Sequence, residues 1–209
     1  MKKSISAVVL DLGGVVFKVD WQAVLSTLEI DDPKIISLLL EVGTSLDYDS
    51  YERGKITTEE FFTLLKAKTS LDMAHTSFLH AWNSLIVEEI SGVRQLLQKY
   101  SGRVPFYALS NTNAAHFDCI ATRFPETVSY FKRMFTSFDL VARKPEPAIF
   151  ERVQSELMLP SRELLFVDDI KENLAAARTA GWNAEFCKDS SLTLESILDR
   201  YLPDPGHQH

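Results

Sequence analysis

The chain alternates between short, wholly apolar runs and longer stretches whose apolar residues recur at helical spacing. Residues 7–10 read Ala-Val-Val-Leu, 104–109 read Val-Pro-Phe-Tyr-Ala-Leu, and 164–167 read Leu-Leu-Phe-Val. Short runs without polar alternation predict strands covered on both faces, as in a parallel sheet. Residues 35–40, 59–65 and 76–85 carry the helical period instead. Thr57 or Thr58 ahead of Glu59 and Glu60 offers a helix start. The β/α alternation predicts an α/β fold built on a parallel sheet. The stretch between the first two runs is far longer than a βα crossover loop. Residues 18–92 are therefore expected to form an inserted, mainly helical unit, leaving 1–17 and 93–202 as the α/β core.

Each apolar run ends abruptly in polar chemistry. Asp11 follows the first run and is itself followed by Leu12-Gly13-Gly14. In parallel sheets ligands bind beyond the carboxyl ends of the strands, where Asp11 would lie. Glycines there let the backbone approach whatever binds. A lone strand-end Asp equally begins a helix or a turn. The second run ends in Ser110-Asn111-Thr112-Asn113. Ser110 and Asn111 could offer a hydroxyl and backbone N–H groups to an anion, or simply cap a helix. Lys144, within Arg143-Lys144-Pro145-Glu146-Pro147, could hold an anionic group as a point charge or lie solvated on the surface. The third run ends in Asp168-Asp169. Helix capping uses one Asp and leaves the second without a purpose. Paired carboxylates suit Mg²⁺, which takes one or two of them together with phosphate oxygens and water.

Asp, then Ser, then Lys, then Asp-Asp, with Asp11, Ser110 and Asp168 at the ends of predicted strands, resembles the motif order of the haloacid dehalogenase superfamily, most of whose members are phosphatases. The resemblance runs along essentially the whole chain. It implies a Rossmann-like core with an inserted α-helical cap that closes over the site and selects the substrate. It also implies Asp11 as nucleophile, with Ser110, the Asn111 N–H and Lys144 on the phosphoryl oxygens. Mg²⁺ would be held by Asp11, the Gly13 carbonyl, Asp168 and Asp169, with Lys171 and Asn173 behind them. The stretches 109–113, 143–146 and 51–54 are similar to bacterial sugar-phosphate phosphatases of the glucose-1-phosphatase kind.

One position departs from the family pattern. The usual first motif is Asp-x-Asp, and its second acid protonates the leaving group; here that residue is Gly13. A positioned general acid–base contributes roughly 10²–10⁴-fold. Three readings follow: a leaving group that needs little protonation, such as an anomeric hydroxyl; a proton supplied from the cap; or a weakened or inactive relative that binds a phosphometabolite in a regulatory role. A haloacid dehalogenase would also use Asp11, but needs no metal and gives Asp168-Asp169 nothing to do. The resemblance and the four intact motifs together imply a Mg²⁺-dependent phosphatase acting on a small phosphorylated metabolite such as a sugar phosphate.

Composition narrows the partners. At 209 residues and 45% hydrophobic content the chain can bury one sizeable core plus a small second lobe. A formal net charge of −7 with no basic stripe argues against nucleic acid. An anionic substrate must then be drawn in by local cations rather than by the global field. No apolar run is long enough to span a bilayer. Lys2, Lys3 and the run behind them mimic a signal peptide, but Asp11 interrupts it and no small-residue cleavage site follows. The expectation is a cytoplasmic protein, monomeric by default, without a membrane partner. Cys119 and Cys187 support no disulfide framework.

In the insert, Arg53 could clamp a substrate oxygen or pair with Glu52 or Glu59. Trp82 and Asn83 could wall the site or belong to a helix core. His75 and His80, five apart, do not share a helical face. The tail 203–209 is expected to be flexible, with His207 and His209 as a remote metal-binding alternative.

Overall fold

The computed structural model describes residues 4–202; Lys2, Lys3 and the 203–209 tail lie outside them. In chain order, β1 (Ala7–Leu10) leads through the glycine loop to a short β2 (Phe17–Val19). Five helices follow: α1 (Trp21–Leu28), α2 (Pro33–Val42), α3 (Leu46–Glu52), α4 (Thr58–Thr69) and α5 (His75–Asn83). β3 (Ile86–Glu89) returns the chain, and α6 (Val93–Tyr100), β4 (Phe106–Ser110), α7 (Ala114–Arg123) and α8 (Pro125–Val128) come next. Then come β5 (Phe131–Thr136), α9 (Ser137–Leu140), α10 (Pro147–Leu157) and β6 (Leu164–Asp168). α11 (Lys171–Thr179), β7 (Asn183–Phe186) and α12 (Ser191–Tyr201) complete the chain.

Five strands form one parallel sheet in the order β5-β4-β1-β6-β7. Central β1 pairs on both sides, Val9 standing opposite Tyr107 of β4 and Phe166 of β6. Every residue of β1 and β6 is buried, as expected of strands with helices on both faces. Alternation splits their side chains between two cores. Val8, Leu10, Leu165 and Val167 pack with Leu97 and Tyr100 of α6 and Leu194 and Leu198 of α12. Ala7, Val9, Leu164 and Phe166 pack with Ile149, Phe150 and Val153 of α10 and Leu174 of α11.

The chain builds outward from β1 to β4 and β5, then crosses back to place β6 and β7 on the other side. The reversal puts the carboxyl ends of β1 and β6 side by side at the switch point, where open α/β sheets bind ligands.

Within 18–92 the structure is helical except at its stem. There β2 and β3 form an antiparallel two-stranded ribbon, so the helices occupy 21–83 rather than the whole interval. Thr57 is the N-cap of α4, in a capping box with Glu60. The helices enclose an aromatic core of Tyr48, Tyr51, Phe61, Phe78 and Trp82, which also takes in Ala115 of α7. Among the described residues no helix is long and apolar enough to cross a membrane.

Candidate active site

Asp11 follows β1 directly. Its N–H donates to Val167 O at 2.8 Å, which carries the ladder one residue past the strand and leaves the carboxylate at the sheet's carboxyl edge. Asp11 Oδ1 accepts the Leu12 N–H at 2.7 Å. On the adjacent strand Asp168 closes β6 and is fully buried. Its Oδ1 accepts the Ile170 N–H at 2.7 Å, and Asn173 Nδ2 donates to both its oxygens at 3.1 Å. With half-buried Asp169, these acids bring one carboxylate oxygen each to within 4.8 Å of one another.

Lys144 is no surface residue. Its ammonium is buried and spends its three donors on Leu109 O at 2.8 Å, Asp168 Oδ2 at 2.8 Å and Asp11 Oδ1 at 2.9 Å. Its backbone is gripped as well: the Lys144 N–H donates to Asn111 Oδ1 at 2.8 Å, and Asn111 Nδ2 donates to Lys144 O at 2.9 Å. The Asn111 side chain therefore faces Lys144.

Ser110 ends β4 in a buried position beside this junction. Helix capping falls to Asn113, whose Oδ1 accepts the His116 N–H at 3.1 Å at the start of α7. Ser110 is thus not the cap. Ser137, which the sequence did not single out, fixes the loop between them: its hydroxyl accepts the Thr112 N–H at 3.0 Å and donates to Thr112 O at 2.9 Å.

The two glycines behave differently. Gly14 has φ +73, and a Cβ there would lie 2.5 Å from Asp169 Oδ2, so only glycine lets that carboxylate approach the loop. A Cβ at Gly13 would meet the Val19 methyls at 3.6 and 3.8 Å, an ordinary contact. The backbone at position 13 accommodates a Cβ without strain; the sequence does not supply one.

Three carboxylates face the buried Lys144 ammonium, and exposed Lys188 adds a longer contact to Asp169 Oδ2 at 3.8 Å. The cluster stays net negative when all are ionised, which a bound cation would offset. Burial pushes the Asp11 carboxyl above the usual carboxylate range; Lys144 opposes that rise and Asp168 adds to it. Asp169 is raised by burial and then by Asp168. Burial works against the Lys144 charge, but Asp11 and Asp168 outweigh it and hold the ammonium above its ordinary value. The donor set is all hard oxygen, which fits Mg²⁺ and not a soft metal.

A family model described as haloacid dehalogenase-like hydrolase matches residues 5–181. The chain belongs to this hydrolase family. Among curated proteins it is 30% identical over 182 residues to the drimenol cyclase drtB of Aspergillus calidoustus. That match covers 85% of this chain, which spans only 33% of the cyclase. Two relatives of similar length are 25% identical. The sesquiterpene phosphatase astK of Aspergillus oryzae matches over 92% of this chain and 95% of its own. The D-ribitol-5-phosphate phosphatase of Bacteroides thetaiotaomicron matches over 85% and 89%. A haloacid dehalogenase family enzyme from Bacteroides thetaiotaomicron, solved in complex with magnesium and inorganic phosphate, superposes with TM-score 0.81 at 27% identity. The match covers 90% of this chain and 96% of that one.

One expectation for the insert of this hydrolase changes. Arg53 is engaged by carboxylates other than those anticipated, and is not free to clamp a substrate. Its Nε donates to Asp49 Oδ2 at 2.7 Å, and its two terminal nitrogens take both oxygens of Glu146. Arg53 follows the last turn of α3 on the same face as Asp49, and that face meets the 143–146 loop. Of the two alternatives for Trp82 the structure shows the helix core: it is buried among the aromatic residues and stacked on the His116 ring at 5.2 Å. A cavity of about 590 Å³ between α2, α3 and α4, lined by Val42, Phe61 and Leu65, contains none of the site carboxylates.

Proposed function

We propose that this chain is a Mg²⁺-dependent phosphatase that hydrolyses a small phosphorylated metabolite through an aspartyl-phosphate on Asp11. The observation that carries the reading is the buried Lys144 ammonium bridging Asp11 and Asp168, with Asp169 close enough to complete an oxygen cluster. Asp11, the Gly13 carbonyl, Asp168 and Asp169 would hold the metal. When bound, it screens the repulsion between a carboxylate and a phosphoryl dianion.

The Asp11 carboxylate attacks phosphorus, the bond from phosphorus to the leaving oxygen breaks, and that oxygen takes a proton from solvent. Water then attacks the same phosphorus, the bond to Asp11 breaks, and inorganic phosphate leaves with the carboxylate restored. Splitting hydrolysis in this way gives two easier steps. Ser110, the Asn111 N–H and Lys144 stabilise the charge that develops on the phosphoryl oxygens.

Gly13 narrows the substrate. With no acid at that position the leaving group should need little protonation, which suits an anomeric sugar phosphate. The phosphatase-named relatives support phosphomonoester hydrolysis and span both a polyol phosphate and a terpenoid. The helices of 21–83, docked beside the carboxyl edge of the sheet, serve as the substrate-selecting cap. The test is phosphate release from a panel of sugar, polyol and terpenoid phosphates plus an aryl phosphate, in Mg²⁺ and in chelator. Turnover only with Mg²⁺, fastest on the best leaving groups, is the expected result. A folded protein that binds Mg²⁺ and releases no phosphate from any member would refute the reading in favour of a binding role.

A further inference from the structure

Three charged residues of α3 and its C-cap, Asp49, Glu52 and Arg53, stand at i, i+3 and i+4 and share one helical face. The face meets the two charged residues that flank Lys144-Pro145. Arg143 Nη1 reaches Asp49 Oδ1 at 2.9 Å, and its Nη2 lies 2.6 Å from Glu52 Oε2. Arg53 takes Asp49 Oδ2 at 2.7 Å and forks onto Glu146. Asp49 thus joins both arginines, one through each oxygen. Glu146 ties the loop to itself, its Oε2 accepting the Arg143 N–H at 3.3 Å.

The network is not a loose surface pairing. The Glu52 side chain is only 5% exposed, Arg53 17% and Arg143 24%, while Asp49 at 32% and Glu146 at 42% form its solvent side. Bidentate arginine pairs in partly buried surroundings carry geometric as well as electrostatic weight. The turn after α3 is pressed against the core too: Gly54 has φ +64, and a Cβ there would lie 2.6 Å from Phe138 O of α9. Lys144 is therefore held from two sides. Asn111 grips its backbone from the β4 loop, and α3 grips its neighbours from the helical insert.

We infer that α3 is a clamp that positions Lys144, so that docking of the helical insert and placement of the ammonium between Asp11 and Asp168 are one event. Asp49, Glu52, Arg53, Arg143 and Glu146 are positioning residues; none has to touch substrate. The inference rests on the phosphatase reading only for what Lys144 then does.

The test reads Lys144 directly. Acetic anhydride labelling of lysines, quantified by mass spectrometry, is compared in the wild-type chain, Arg53→Gln and the isosteric Asp49→Asn. Amide hydrogen exchange in β1 and β6 serves as the control for general loosening. The expected result is at least a tenfold rise in Lys144 acetylation in both variants, with exchange in β1 and β6 and labelling of exposed Lys18 unchanged. Lys144 protected as in wild type, or labelling that rises only together with exchange throughout the sheet, would overturn the clamp. Labelling needs no turnover, so a chain inactive on every phosphate ester would refute the phosphatase reading and still decide this one.

Discussion

The Asn111 side chain holds both backbone groups of Lys144, accepting its N–H at 2.8 Å and donating to its carbonyl at 2.9 Å. An amide on the β4 loop thereby sets where an ammonium on another loop sits, between the acids of β1 and β6. Removing it costs two hydrogen bonds of about 0.5–1.5 kcal/mol each, a modest loss for the fold. It costs more for chemistry, because misplacement by ~1 Å can lower a rate by ~10²-fold. Asn111→Ala is expected to reduce kcat on an aryl phosphate by roughly 10–100-fold while Mg²⁺ affinity stays unchanged. Steady-state kinetics with a metal titration check this; an unaltered kcat would count against it.

The two loop glycines should respond in opposite ways to a side chain. At Gly14 a Cβ meets Asp169 Oδ2 at 2.5 Å, so Gly14→Ala should displace that carboxylate and weaken Mg²⁺ binding. At Gly13 a Cβ makes only ordinary contacts with Val19, so Gly13→Asp should fold and restore a proton donor. Its gain should appear on alkyl phosphates, up to the ~10²–10⁴-fold of a positioned acid, with little change on an aryl phosphate. An equal gain, or none, on both ester classes would show that protonation does not limit turnover.

His116 gives acid sensitivity with a calculable sign. Its ring is buried between Asn113 and Trp82 O, and burial pushes its pKa down from 6.5 to about 4. Between those values the unfolded chain binds a proton that the folded chain does not. Stability supplied by the neutral ring is therefore full above about pH 6.5 and drains away as pH falls towards 4, by about 3 kcal/mol in all. Asp11, raised by burial, acts in the opposite direction because the folded chain holds its proton longer. Comparison of wild type with His116→Gln isolates the histidine. Denaturant unfolding from pH 7 to 4.5 should show a shallower loss on acidification in the variant. Identical slopes would remove His116 as the cause.

The three inner strands β1, β4 and β6 and the polar residues that end them were legible because buried parallel strands are wholly apolar. By contrast β5 (Phe-Lys-Arg-Met-Phe-Thr) and β7 (Asn-Ala-Glu-Phe), at the sheet edges, interleave polar residues and present no such run. Each apolar run stops where the sheet stops, and Asp11, Ser110 and Asp168 stand there. The capping box at Thr57 was legible for the same local reason. Lys144 was ambiguous: nothing within 142–150 shows that its ammonium will face two carboxylates from distant strands. Arg53 was misjudged on both partners: Glu146 lies 93 residues away and leaves no local signal, while Asp49, four residues back on the same helical face, was legible and was passed over for Glu52 and Glu59. Asp49, Glu52 and Arg53 do carry a signal, their shared face, but only the fold reveals what that face meets. Ser137 acts through the backbone of Thr112, a contact that leaves no trace in composition or period.

The most direct measurement is Mg²⁺-dependent phosphate release by wild type and by Asp11→Asn, each first shown to be folded. Replacing the carboxylate by an amide of the same shape removes the attacking group and leaves the loop intact. Turnover by the wild type in Mg²⁺, abolished both by chelator and by the substitution, is the expected result. Release by Asp11→Asn at the wild-type rate would contradict a covalent route through Asp11.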